Sequence, residues 1–394
     1  MPEKLRIGVL GSGGGPATVG TSRGTYLGSL AEQTELMETV AVCGVIAEHV
    51  AFGASRMRRA EAFTDLDRFL SYGLDAVIIA SPLSLHAEQS IAVLERGIAV
   101  LSEVTPVGTL MEAAQLAAAV ERTNGFYMLA ENYRFIDDVE LVKRMVDDER
   151  FGRVSFAEGE YLHDCRDLAL NSDGTPTWRG ERKRRGGLYC THSLIPLLYI
   201  TGDRVATVCC LEAEGGIGGT VMLLRSAGGR VFKVRVDSSS PRPHNMAYYA
   251  VQGETGAYES WRSGGDQAKV WLADAHEPSR CRALDGEVIA QWHPLHDFAA
   301  TYIPERITAP QVARSSGHFG ADYWMLTAFA RALLDAQPPP IDVYQALDCC
   351  VPGVVALESR TNGGAPVAVP NFRPPNGEAR GQATERMATV VAVS

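Results

Sequence analysis

The stretch KLRIGVLGSGGGPATVGTSRG, residues 4–24, decides the fold. Its opening KLRIGVL is a short apolar, β-branched run followed by glycine, as expected for the buried first strand of a βαβ unit. Gly11 and Gly13 then supply the first two glycines of the dinucleotide fingerprint G-x-G-x-x-G. The first of these makes the tight turn, and the second lets a pyrophosphate approach the backbone. The sixth position is Pro16, so the third glycine, which lets the helix pack closely on the strand, is assigned to Gly24, just ahead of TYLGSLAEQ. The phosphate loop is then longer than usual. An ordinary glycine-rich loop is the competing reading of the same residues.

Outward from this stretch, strand-like and helix-like segments alternate. ETVAVCGVIA (38–47), LDAVIIASP (74–82), IAVLSEVTP (98–106) and FYMLAENYRF (126–135) have strand composition, while HAEQSIAVLERG (86–97) and TLMEAAQLAAAVERTNG (109–125) have helical periodicity. Alternation of this kind predicts an α/β fold: an N-terminal Rossmann domain, residues 1–130, with a doubly wound parallel sheet. From Gly152 the texture changes to short strand-like pieces joined by glycine-rich turns. Two helical patterns follow, YWMLTAFARALLDA (323–336) and DVYQALDCCVPGVVALES (342–359), the second expected to break near Pro352. Residues 131–373 are therefore expected to form an α+β domain with a large open antiparallel sheet, serving substrate binding and oligomerisation. Residues 374–394 read as a mobile tail.

The chain has 394 residues, enough for two cores, and a formal net charge of −10. Nucleic acids and anionic membranes are bound by cationic surface, so the acidic balance points to a small-molecule partner instead. No charged-then-apolar leader precedes KLRIGVL and no apolar run approaches the roughly 20 residues of a spanning helix, so a cytoplasmic location is expected. The eight cysteines include two adjacent pairs, Cys209/Cys210 and Cys349/Cys350, with no C-x-x-C and no Cys/His metal spacing. They read as buried thiols, and no metal site is expected.

Several motifs occur in a fixed order across both halves: SEV (102–104), AENYRF (130–135), EGEYLHDCRDL (158–168), TWRG (177–180), LYCTHSLIP (188–196), SPRPHNMAYYAVQGETGAYES (240–260), GHFGADYWML (317–326), PPIDVYQALD (339–348) and GGAPVAVPNF (363–372). By these the chain resembles the Gfo/Idh/MocA family of nicotinamide-dependent proteins. Within that family it is most similar to the branch containing glycoside hydrolase family 109, whose members hydrolyse glycosides with a retained NAD. The resemblance implies NAD contacts from Gly11, Gly13 and Gly24, from Ser81, Pro82 and His86 of the loop SPLSLHAE, and from Glu103 and Asn132.

Two departures matter. The acid that usually ends the second strand and binds the adenosine ribose is absent, with Gly44 and Ile46 in its place. Arg56, Arg58 and Arg59 could hold a 2′-phosphate, but as part of a helix they read more simply as solvated cations, and NAD is kept over NADP by resemblance. The second departure is a missing lysine. Sugar dehydrogenases of the family carry an EKP motif whose lysine contacts the hydroxyl being oxidised, whereas this chain has Glu103, Val104, Thr105 and Pro106. Neither Val104 nor Thr105 can take a hydroxyl proton near neutral pH. The glycosidase branch lacks the same lysine.

On a strand, Tyr161 and His163 of EGEYLHD share one face. By its match to the family motif Tyr161 is the candidate base, with a core tyrosine as the competing reading. A phenol of pKa about 10 needs nearby cations, and the run Arg179 to Arg185 offers them. His192, at the start of a helical stretch, and Tyr189 complete the implied catalytic group. Glu131, His163, Arg179, Arg184 and His244 match substrate-side positions. His318 and Asp322 either line the cofactor side or, for Asp322, cap the following helix.

The function implied is an NAD-dependent glycosidase: hydride abstraction at carbon 3 of the sugar, elimination of the aglycone after loss of the carbon 2 proton, water addition and re-reduction. The basic run RGERKRR (179–185) suggests an anionic sugar. The alternatives are an NAD(P)-dependent sugar or cyclitol dehydrogenase with His192 as base, and a non-catalytic sugar-binding protein. The open sheet predicts a homo-oligomer, a dimer or tetramer.

Overall fold

A computed structural model describes residues 4–11, 22–170, 174–177, 186–213, 219–241, 246–273 and 292–374. The chain forms two compact units, one of Met1–Asn132, Gln311–Val351 and Pro370–Ser394, the other of Tyr133–Pro310 and Pro352–Val369.

The first unit is built on six strands: β1 Leu5–Leu10, β2 Met37–Cys43, β3 Glu61–Phe63, β4 Ala76–Ile79, β5 Ala99–Ser102 and β6 Tyr127–Leu129. All neighbours are parallel, in the order β3-β2-β1-β4-β5-β6. β4 and β5 are buried at every residue, as a parallel sheet covered on both faces requires. The helix Leu110–Thr123 starts on a capping box in which Thr109 and Glu112 satisfy each other's backbone N–H. β2 stops at Cys43, short of the expected residue 47, and the chain bends at Val45 before the helix Ala47–Ser55. Arg56 caps that helix and Arg58 and Arg59 lie beyond it, all three exposed.

Residues 311–351 follow the second-unit strands in the chain yet pack with the first sheet. Phe329 of the helix Ala321–Leu334 meets Phe126 edge-on at 5.6 Å, and the Leu129 N–H donates to the Ile341 carbonyl at 3.1 Å. The helix Val343–Thr361 continues past Pro352 without the expected break. The lost N–H costs one bond, and burial of Cys349, Cys350, Val351 and Val355 along the same helix outweighs it.

Among the described residues the second unit holds nine strands: β7 Val154–Leu162, β8 Val205–Glu212, β9 Thr220–Ser226, β10 Val231–Asp237, β11 Ala247–Gly253, β12 Gly256–Glu259, β13 Lys269–Leu272, β14 His293–Pro294 and β15 Val367–Ala368. Their order is β14-β13-β12-β11-β7-β10-β9-β8-β15. The sheet is mostly antiparallel, as expected, and within it β7 and β10 pair in parallel. The connection out of β7 includes the helix Thr191–Thr201, and a crossover of that length permits parallel pairing where a hairpin does not. Nine of that helix's eleven residues are buried, so it is apolar nearly all round and is covered on all sides. Among the described residues no helix is long and apolar enough to cross a membrane.

Candidate active site

The second unit gathers four predicted side chains. Tyr161, near the end of β7, is 6% exposed, and its hydroxyl lies 2.9 Å from His163 Nδ1. The rings of His192 and Tyr189 stand 4.7 and 5.9 Å from that of Tyr161, and 5.1 Å from each other. Strand alternation puts Tyr161 and His163 on one face and turns Glu158 and Glu160 to the other, where Arg262 pairs with both at 3.1 Å.

His192 is held by its backbone as well as by ring contacts. It lies in the first turn of Thr191–Thr201, which contains Pro196. The N–H that would bond the His192 carbonyl belongs to residue 196, and proline lacks it. The Tyr249 hydroxyl from β11 donates to that carbonyl instead, at 2.7 Å. The helix also sits directly on β7: a Cβ on Gly159 would lie 2.0 Å from the Ser193 carbonyl oxygen.

The first unit places the candidate cofactor residues at the carboxyl ends of β1 and β4, the switch point where open α/β sheets bind ligands. Gly11 has φ +101°, and a Cβ there would lie 2.3 Å from the Ser81 nitrogen. A Cβ on Gly24 would lie 2.4 Å from the Gly11 oxygen, the close helix–strand approach that a third fingerprint glycine serves. His86 is buried, with Nδ1 2.9 Å from the Thr105 carbonyl and Nε2 2.8 Å from that of Ser81. Burial pushes its pKa below the ordinary imidazole value, and the ring braces the loop through Ser81 and Pro82. Glu103 accepts from Arg23 Nε at 3.0 Å. Glu131 and Asn132 are buried just beyond β6, and the Asn132 Oδ1 finds no hydrogen-bond partner among the described residues. A glycine cradle that any Cβ would fill, together with a buried acceptor awaiting a donor, fits a dinucleotide bearing a carboxamide. Past β2, where the ribose acid is missing, Val45 is 94% exposed.

Residues 213–376 match the family model described as glycosyl hydrolase 109, C-terminal domain, and residues 5–131 match that of the oxidoreductase family, NAD-binding Rossmann fold. The chain thus joins a Gfo/Idh/MocA-type NAD-binding domain to a glycosyl hydrolase 109 C-terminal domain. A glycosyl hydrolase family 109 protein of Saccharopolyspora erythraea is 25% identical, over 94% of this chain and 83% of its own length. An alpha-N-acetylgalactosaminidase of Tannerella forsythia is 27% identical, over 76% of this chain and 70% of its own. Among solved structures, levoglucosan dehydrogenase in complex with NADH and L-sorbose has a TM-score of 0.76 at 18% identity, covering 94% of this chain and 100% of that one. That last likeness is one of fold.

Within this Gfo/Idh/MocA frame, Gly13, Arg179, Arg184 and His244 lie outside the described residues, as do the rest of the basic run and most of the C-terminal tail. Sequence reasoning missed Tyr133, whose ring stands 4.5 Å from that of His192 and 5.7 Å from that of Tyr161. It sits in the quoted motif AENYRF, so the signal was present and passed over. It also missed Tyr249, inside the quoted motif 240–260, and Arg23, inside the opening stretch 4–24, because their partners His192 and Asp322 lie far away in the chain. Asp322 does not cap its helix: Gly320 is the N-cap, and the carboxylate turns to Arg23, Asn132 and His318. Among the described residues no group of acids, histidines and cysteines is arranged to hold a metal ion.

Proposed function

We propose that this chain is an NAD-dependent glycosidase acting on a small-molecule glycoside. The observation that carries the reading is the hydroxyl of Tyr161 set on His163 Nδ1 beside His192, in the glycosyl hydrolase 109 branch. Gly11, Gly24 and Asn132 would hold NAD, which when bound supplies a hydride acceptor and donor at carbon 3 of the sugar. Once carbon 3 is a ketone, the proton on carbon 2 is acidic because the enolate is stabilised. Tyr161 takes that proton while its own passes to His163, and the His192 ring orients a sugar hydroxyl. The same pair returns a proton to the departing glycosidic oxygen. Glu131 is assigned to the substrate side.

Residues 179–185 support, by their sequence alone, a glycoside that carries a negative charge. Matched neutral and anionic aryl glycosides, read for phenol release and for NADH absorbance, test both readings. Phenol release without NADH accumulation is expected, with the anionic series favoured about 10-fold to 150-fold and that preference lost in Arg184→Ala. NADH accumulating without phenol would mark a dehydrogenase, and neither signal with binding retained would mark a non-catalytic protein.

The outer face of the second sheet supports self-association. Leu211 is 65% and Leu223 54% exposed on neighbouring strands, with Val221 directly opposite Leu211. Contiguous apolar side chains on an open sheet mark an interaction surface. Sedimentation of Leu223→Arg is expected to give a smaller species than wild type; an unchanged mass would remove this face from the assembly.

A further inference from the structure

The Asp322 carboxylate is fully buried and carries four hydrogen bonds. Arg23 donates twice, from Nη1 to Oδ2 at 2.9 Å and from Nη2 to Oδ1 at 2.7 Å. Asn132 Nδ2 donates to Oδ1 at 2.8 Å, and His318 Nδ1 donates to Oδ2 at 2.9 Å. Burial alone would push this carboxyl up, but the bonds from Arg23 and His318 hold it well below the usual carboxylate range. Asp322 is therefore an anion at every working pH.

A carboxylate can only accept, so an amide beside it has one satisfactory orientation, N–H side inward. The carbonyl oxygen of Asn132 must then face away from Asp322. Asn132 is 2% exposed and that oxygen has no partner among the described residues, a state that native structures rarely leave unsatisfied. Its place just beyond β6, at the carboxyl edge of the parallel sheet, is where such folds take ligands.

We propose that Asp322 is a positioning residue that locks the Asn132 amide with its oxygen toward the ligand, so that the site selects a carboxamide N–H and rejects the corresponding carboxylate. The inference rests on NAD binding as read above, and not on glycoside hydrolysis. The discriminating pair is NAD and nicotinic acid adenine dinucleotide, which differ at that one group. A carboxylate there has no proton to give and meets the Asn132 oxygen with like charge.

The experiment titrates full-length protein, stripped of copurifying dinucleotide, with each compound by calorimetry. Wild type is expected to bind NAD about 30-fold more tightly than its acid analogue. In Asp322→Asn the Asn132 amide is free to turn, and the preference is expected to fall to about 3-fold or less. Asn132→Leu keeps the Arg23–Asp322 pair and is expected to lose the preference by itself, with NAD weakened about 10-fold. If Asp322→Asn weakens both dinucleotides equally and keeps the ratio, Asp322 is merely structural and the proposal fails. It also fails if wild type shows no preference, or if Asn132→Leu retains it. Failure of NAD to bind wild type overturns the cofactor reading itself, whatever the outcome with glycosides.

Discussion

Tyr161→Phe is expected to lower glycoside turnover about 10³-fold while leaving the fold and NAD affinity unchanged. The substitution deletes one oxygen at nearly constant volume. The ring contacts that seat Tyr161 against Tyr133, Tyr189 and His192 all survive it. What is lost is the hydroxyl 2.9 Å from His163 Nδ1, and with it the path by which a substrate proton reaches the imidazole. Steady-state phenol release from an aryl glycoside measures the loss, with a thermal melt and an NAD titration as controls. Turnover within a few-fold of wild type would remove Tyr161 from the chemistry and leave it as a core tyrosine. A single-turnover experiment adds a second readout: reduction of NAD that persists in the variant places Tyr161 after the oxidation.

Gly159→Ala is expected to be the substitution more damaging to stability, although it adds only one methyl group. The new Cβ would stand 2.0 Å from the backbone oxygen of Ser193 and 3.0 Å from its carbonyl carbon, neither of which can rotate away. The helix Thr191–Thr201 must therefore lift from β7 or the strand must bend. Overpacking of this kind costs about 3 kcal/mol, or about 6 to 12 °C in melting temperature if the unit of Tyr133–Pro310 and Pro352–Val369 melts by itself. The displaced helix carries His192, so turnover is expected to drop about 10²-fold in the fraction that remains folded, because reacting groups tolerate little misplacement. A melting temperature within 1 °C or so of wild type would show that the contact relaxes without cost. The neighbouring Ser193→Ala, which removes only the hydroxyl bond to the Arg235 carbonyl, should be much milder.

Both residues illustrate how much of the site was legible beforehand. Alternation along EGEYLHD put Tyr161 and His163 on one face, and YCTHSLIP read as a helical stretch starting at His192, one residue after the observed start at Thr191. These are local properties, because side-chain direction follows from strand and helix period alone. Gly159 was visible in the same motif, but nothing local says that the Ser193 carbonyl will come to rest against it. Pro196 could be read as a helix irregularity, and only the folded chain shows Tyr249 taking over the carbonyl it leaves unbonded.

By itself the sequence determined the parallel sheet at the start, the mostly antiparallel one after it, and the resemblance to the glycosyl hydrolase 109 branch. Glycine placement, apolar period and ordered motifs are written along the chain and need no partner to be read. Tertiary structure alone decided the parallel pairing of β7 with β10, the return of residues 311–351 to the first sheet, and the bonding of Arg23 to Asp322 across 299 positions. These contacts exist only after both partners have given up their chain entropy to meet, so they depend on how whole elements pack and leave no periodic trace in either segment.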